Sequence, residues 1–109
     1  MAILEFEEFD WDERNVDHLA RHRVKPSEAE EAIQNRPVDL GSQLRNGEAR
    51  LALVGETDGG RVLVVVTTMV GTKVRVVTAW SANKNYQRYF ESLKRSGYVG
   101  RTEEHDLRE

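Results

Sequence analysis

Two histidines, His18 and His22, stand four residues apart in the segment Trp11-Asp12-x-x-Asn15-x-x-His18-Leu19-x-x-His22. On a helix, positions 15, 18 and 22 share one face, so Asn15, His18 and His22 converge. Imidazole gains and loses a proton near neutral pH, which suits it to general acid or base work. The plainer alternative is that both rings sit half-buried between helix and sheet, their nitrogens bonded to backbone carbonyls. The i, i+4 histidine pair also has the spacing of two metal ligands. No third ligand or His-Glu-x-x-His motif accompanies it, so no metal site is assigned.

A second set is cationic. Arg50, Arg61, Lys73 and Arg75 lie on segments that read as strands, and Lys84 and Arg88 lie i, i+4 on a helical segment. A guanidinium fork matches phosphate oxygens, and several forks converging on one spot stabilise the charge that a phosphorane-like transition state gains. Lys84 and Arg88 present a positive face for a nucleic-acid backbone or an acidic partner. Taken singly, each of the four strand cations is more often a solvated strand residue or the partner of one of the many N-terminal acids.

These residues need elements to position them. Leu4 to Phe9 reads as a short strand. Asp12 is placed to cap a helix running to about Arg23, with Val16, Leu19 and Ala20 as its apolar stripe. A second helix begins near Pro26, with Ser27 and Glu30 as a competing capping-box start, and buries Ala29, Ala32 and Ile33. Asn35-Arg36-Pro37 ends it. Val38 to Leu40 is a possible short strand, and Gln43 to Glu48 reads as polar turn material. Arg50 to Glu56, Arg61 to Met69 and Lys73 to Trp80 then form a three-strand antiparallel meander. Val62 to Val66 is apolar on both faces, which places its strand centrally. A helix from about Asn83 to Ser96 packs Tyr86, Tyr89, Phe90 and Leu93 on the sheet, and Gly97 stops it. The fold class is therefore α+β, with two helices before the meander and one after it. Residues 1–97 make a single domain, and residues 98–109 read as a charged, mobile tail.

The chain has 109 residues, no cysteine, 39% hydrophobic and 32% charged residues. That suits one domain with its own core and excludes thiolate nucleophiles, cysteine zinc sites and iron–sulfur clusters. The longest apolar run, Val62 to Val66, is far too short to span a membrane, and the N-terminus lacks a secretion signal, so the expectation is a cytoplasmic protein. The net charge of −3 conceals a basic middle: residues 1–35 carry −6, residues 36–102 carry +6 and residues 103–109 carry −3. P-loop, dinucleotide and serine-hydrolase signatures are missing.

The blocks Phe9-Asp10-Trp11-Asp12-Glu13-x-Asn15-x-x-His18-Leu19-Ala20-Arg21-His22-x-Val24, Glu28, Gly60-Arg61-x-Leu63-x-Val65-Val66 and Val74-Arg75-Val76-Val77-Thr78-Ala79 resemble the BrnT toxins of type II toxin–antitoxin systems. The resemblance runs from about residue 9 to residue 90. It implies a RelE-like fold with helices on one side of an antiparallel sheet. It also implies a metal-independent endoribonuclease that inhibits translation, with no cofactor, held inactive by a BrnA-like ribbon-helix-helix antitoxin that supplies the DNA contact. Set against ribonuclease chemistry, Arg61 and Arg75 would stabilise phosphate charge and His18 or His22 would be acid or base. Asn15 or Asp12 would orient the imidazole, with Trp11 and Trp80 lining the site. Arg50, Lys73, Lys84 and Arg88 would hold RNA. Trp80 stands where many members carry an arginine, Tyr86 replaces an acidic residue, and Arg23 replaces the glycine that commonly follows the second histidine. Two rival readings stand beside this one: a catalytically degenerate relative that only binds antitoxin, and a small nucleotide- or metabolite-binding domain with its cleft beside His22.

Overall fold

The computed structural model describes residues 8–96. The elements are β1 (Glu8–Phe9), α1 (Glu13–Ala20), α2 (Pro26–Gln34), β2 (Val38–Arg45), β3 (Glu48–Glu56), β4 (Val62–Val70), β5 (Lys73–Ser81) and α3 (Lys84–Ser96). The expected strand from Leu4 is described only at Glu8–Phe9, and Gly97 with the expected tail lies outside the described residues. The chain is α+β. No helix among the described residues is long and apolar enough to cross a membrane.

The strands form one five-stranded sheet in the order β1-β5-β4-β3-β2, with β4 at its centre. Strands β2 to β5 make an antiparallel meander, one hairpin longer than the sequence reading allowed. Asn46 and Gly47 both have positive φ, 54° and 79°, and the residues around them pair as strands rather than turn. Two consecutive left-handed residues fit the tight hairpin that Asn-Gly favours, so β2 extends to Arg45. The sheet is mixed rather than purely antiparallel, because β1 pairs with β5 in parallel, Glu8 opposite Lys73 and Phe9 opposite Val74.

The helices cover both faces, not one. Leu19 of α1 and Ala29, Ala32 and Ile33 of α2 pack with Leu53, Leu63, Val65, Val76 and Ala79 on the first face. Phe90 of α3 packs with Val38, Leu40, Ala52, Val54, Val64 and Val66 on the second, with Tyr86, Tyr89 and Leu93 beside it. Apolar residues on successive positions of β4 make both faces sticky, and each side chain buried there contributes about 1.5–3 kcal/mol. Gly55 lets α2 sit directly on the sheet: a Cβ there would strike the Ala32 carbonyl oxygen.

Strand β5 carries a bulge. Thr67 pairs with Val76 and Val66 with Thr78, leaving Val77 as the extra residue. Strict alternation would put Val76 and Ala79 on opposite faces, yet both join the first cluster, while Val77 and Trp80 join the second. An extra residue of this kind reverses the parity of everything that follows it.

Helix α1 is shorter than expected. It ends at Ala20, and Arg23 takes φ 59°. The Val24 N–H donates to Leu19 O at 3.1 Å and the Arg23 N–H to Ala20 O at 3.0 Å, the paired bonds of a Schellman stop. Arg23 thus makes the left-handed exit that glycine makes more easily. Ala20 is exposed, and the buried residues of α1 are Leu19 and Asn15. In α2, Pro26 holds the first position and Glu28 Oε1 accepts the Lys25 N–H at 3.0 Å, so the Ser27 start is not used.

Candidate active site

Helix α3 leaves part of the second sheet face bare, toward the end of β4 and the start of β5. An open cleft of about 880 Å³ lies there. Its floor comes from alternate residues of neighbouring strands: Gln43 and Arg45 of β2, Glu48 and Arg50 of β3, Val66, Thr68 and Val70 of β4, and Arg75 and Val77 of β5. Gln43 is opposite Arg50 and Arg45 opposite Glu48, so the hairpin register itself gathers these side chains. Asp10, Asp12, Arg14, Asn15 and His18 reach the same cleft from the β1–α1 junction.

That junction is built around Asn15, which is buried at 3% exposure. Its Oδ1 accepts the Asp12 N–H at 2.8 Å and its Nδ2 donates to Asp10 O at 2.9 Å. Asp12 is the N-cap of α1 and accepts the N–H groups of Arg14 and Asn15 at 2.9 and 3.2 Å. The same Asp12 oxygen accepts from Arg75 Nη2 at 3.0 Å, while Arg75 Nη1 donates to Asp10 at 3.3 Å. The hydrogen bond from Arg75, more than any other influence, holds the Asp12 carboxyl below the usual carboxylate value, and Asp12 in turn raises Arg75. A guanidinium gripped by two carboxylates has a fixed plane and still offers its remaining N–H donors to the cleft.

Four arginines face three carboxylates around this cleft. Arg50 pairs with Glu48 at 2.9 Å, whereas Arg14 and Arg45 have no carboxylate partner among the described residues. The surplus is positive, and an open cleft of that sign attracts a polyanion.

Arg61 is elsewhere. It precedes β4 at the far end of the strand from Thr68, the partner of Arg75, and belongs to the first face with Leu63 and Val65. Its Nη1 donates to Arg23 O at 2.7 Å and to Glu28 Oε1 at 3.1 Å, and its Nε and Nη2 donate to Ser81 Oγ at 3.2 and 2.9 Å. The expected meeting of Arg61 and Arg75 on one face therefore does not occur. Seven residues of strand, about 23 Å, and the thickness of the sheet separate the two positions.

The other expected residues divide in the same way. Trp11 does not line the cleft; its Nε1 donates to Glu30 at 2.7 Å and its ring packs on the first core. Lys73 lies 3.8 Å from Glu8 at the strand edge. Lys84 and Arg88 border a separate cleft with Glu56, Gln87 and Glu91, so they do not extend the cationic floor. His22 and Trp80 lie outside the main cleft but are joined to it through rings: His18 to His22 at 5.7 Å between centroids, His22 to Trp80 at 6.5 Å. Sequence reasoning missed Arg45, Arg14, Gln43 and Asp10. The Asn46-Gly47 signal could have found Arg45 and Gln43, since a hairpin there places both beside Arg50. Among the described residues no group of three or more histidine, aspartate or glutamate side chains is arranged to hold a metal ion.

A search of curated proteins gives no match. The family model described as the ribonuclease toxin, BrnT, of type II toxin–antitoxin systems matches residues 11–85, from the residue before the α1 cap into the first turn of α3. With more than half of its length inside that match, the chain belongs to the BrnT ribonuclease toxin family.

Proposed function

We propose that this chain is an endoribonuclease that cuts RNA in the Arg75 cleft without a metal ion and so stops translation. One observation carries the reading: the cleft holds a guanidinium fixed by two carboxylates beside a histidine and further arginines, on an open and positively charged sheet face. His18 takes the proton from a ribose 2′-hydroxyl, whose oxygen attacks the adjacent phosphorus. The bond from phosphorus to the 5′-oxygen breaks, and that oxygen leaves with a proton from water in the open cleft. Arg75 and Arg50 hold the negative charge that the phosphate gains on the way. The products are a 2′,3′-cyclic phosphate and a free 5′-hydroxyl. Asp10, Asp12 and Asn15 are positioning residues for Arg75, and Arg61 is a structural tie.

The family implies an antitoxin partner. A BrnA-like ribbon-helix-helix protein, through which the toxin reaches DNA, is the form the resemblance supports, and co-purification with the product of the neighbouring gene tests it. The catalytic reading is tested by inducing the wild type, Arg75→Ala, His18→Ala and Arg61→Ala in cells and following growth and total RNA. The expected result is arrest with RNA fragments bearing cyclic phosphate ends for the wild type and for folded Arg61→Ala, with intact RNA for the other two. Normal growth and intact RNA with folded wild-type protein would overturn the assignment and favour an antitoxin-binding module without nuclease activity.

A further inference from the structure

The bulge at Val77 has placed an aromatic ring where regular pairing would not. Arg75 and Trp80 are an odd number of residues apart, which on an unbroken strand puts them on opposite faces. With Val77 inserted, Trp80 lies on the second face together with Val77, which lines the Arg75 cleft. The distance along β5 from Arg75 to Trp80 is about 15 Å, a span of a few nucleotides.

Among the described residues, strand β1 pairs with β5 only at Lys73 and Val74, and α1 is in contact with β5. Along that margin His18, His22 and Trp80 form a run of rings, each tilted 54° to the next, that starts in the cleft and ends at Trp80. Trp80 is half-buried against the second core and keeps part of its surface in solvent. A cationic floor followed by a partly exposed aromatic residue is an arrangement with which proteins hold single-stranded nucleic acid.

We propose that Trp80, backed by His22, is a stacking platform for an unpaired nucleobase of the RNA strand whose phosphate lies at Arg75. The proposal rests on the ribonuclease reading and adds a preference for a strand that is unpaired across the site, because a paired base must first be unpaired and unstacked before it can lie on Trp80. Stacking accepts every base, so Trp80 contributes affinity with little sequence preference.

The test uses a Trp11→Phe chain, in which Trp80 is the one tryptophan, titrated with a 2′-O-methyl oligonucleotide that cannot be cut. Saturable quenching of the tryptophan emission is expected. Trp80→Leu in the otherwise unmodified chain should raise KM for a single-stranded RNA about tenfold with kcat nearly unchanged, and Trp80→Phe should recover most of the loss. Circular dichroism on each variant separates this from a packing defect, which would lower stability without rescue of KM by phenylalanine. Oligonucleotide binding, seen by anisotropy of a labelled strand, with unchanged Trp80 emission would overturn the platform while leaving the nuclease reading intact. So would equal KM values for the wild type and Trp80→Leu. Absence of both cleavage and binding in the unmodified chain would overturn the nuclease reading, and the platform with it.

Discussion

Arg61 and Arg75 are the same residue type, at the margins of adjacent strands, and they sit in opposite surroundings. At the Arg61 end every contact closes something: the guanidinium ties the α1–α2 link to β5 through Arg23 O, Glu28 and Ser81. The neighbouring loop is fastened as well, with Asp58 N–H on Glu31 and Asn35 Nδ2 on Glu56 O and Asp58. At the Arg75 end the partners are two carboxylates on the rim of an open cleft, and Arg14 and Arg45, with no carboxylate partner among the described residues, stand nearby. An arginine whose donors are taken up by backbone carbonyl, hydroxyl and carboxylate has little left for a phosphate. Partner inventory, more than residue type, separates a tie from a ligand-binding group.

The contrast is sharpest in activity. Arg75→Ala should lower RNA cleavage by about 10²–10³-fold, and Arg75→Lys should not restore it, because one ammonium cannot hold Asp10 and Asp12 in the fork geometry. Single-turnover cleavage of a short RNA, on protein whose fold is verified by circular dichroism, measures this. At the closed end the largest loss is in stability. Gly55→Ala should destabilise the domain by about 3 kcal/mol or more, since α2 must lift off the sheet. Arg61→Ala should cost about 2 kcal/mol in urea unfolding and leave the cleavage rate of the folded protein nearly unchanged. If Arg61→Ala abolished cleavage with stability intact, the division between the two ends would be wrong. Arg23→Gly should add about 0.5 kcal/mol by relieving a left-handed arginine, with no change in cleavage.

Acid sharpens the same comparison by a smaller effect. Asp12 is depressed mainly by Arg75, and Glu28 mainly by the Lys25 N–H with Arg61 assisting. A carboxylate with a lowered folded pKa stabilises the protein above its unfolded value, about 4, and that contribution is lost as pH falls through the folded value. Arg75→Ala should therefore flatten the acid limb of the stability profile by removing the main cause at Asp12. Arg61→Ala should leave the larger part of the Glu28 contribution in place. Urea midpoints between pH 2 and 6 measure both.

Much of this was legible in the chain. The cap at Asp12, proline at the head of α2, the central strand and the aromatic face of α3 follow from local chemistry that tertiary contacts reinforce. Extended strands were harder. Polar residues at Gln43 and Arg45 look like turn material because their apolar complement, the bare sheet face, is missing where the cleft lies. Parallel pairing of β1 with β5 is a contact between distant segments with no local signature. The bulge at Val77 sits inside an uninterrupted run of β-formers, so nothing in the residue types announces the change of parity, and the faces of Arg75 and Trp80 depend on it. The convergence of Arg61 with Arg75 failed for a related reason, since the face of each depends on a register the sequence does not display.

The carboxylates that grip Arg75 are 65 and 63 residues away from it along the chain. The hairpins of the meander join near neighbours in sequence, whereas β1 and the α1 cap must close a long loop before they gain a bond. The rim of the cleft is therefore expected to form after the scaffold that carries it and to open before it. Native-state hydrogen exchange should show the Asp10 amide, bonded to Val74 O at 2.8 Å, opening well before the amides of β4. A chain still being synthesised cannot close the grip of Asp10 and Asp12 on Arg75 until β5 has emerged, so the rim of the cleft is set late in synthesis.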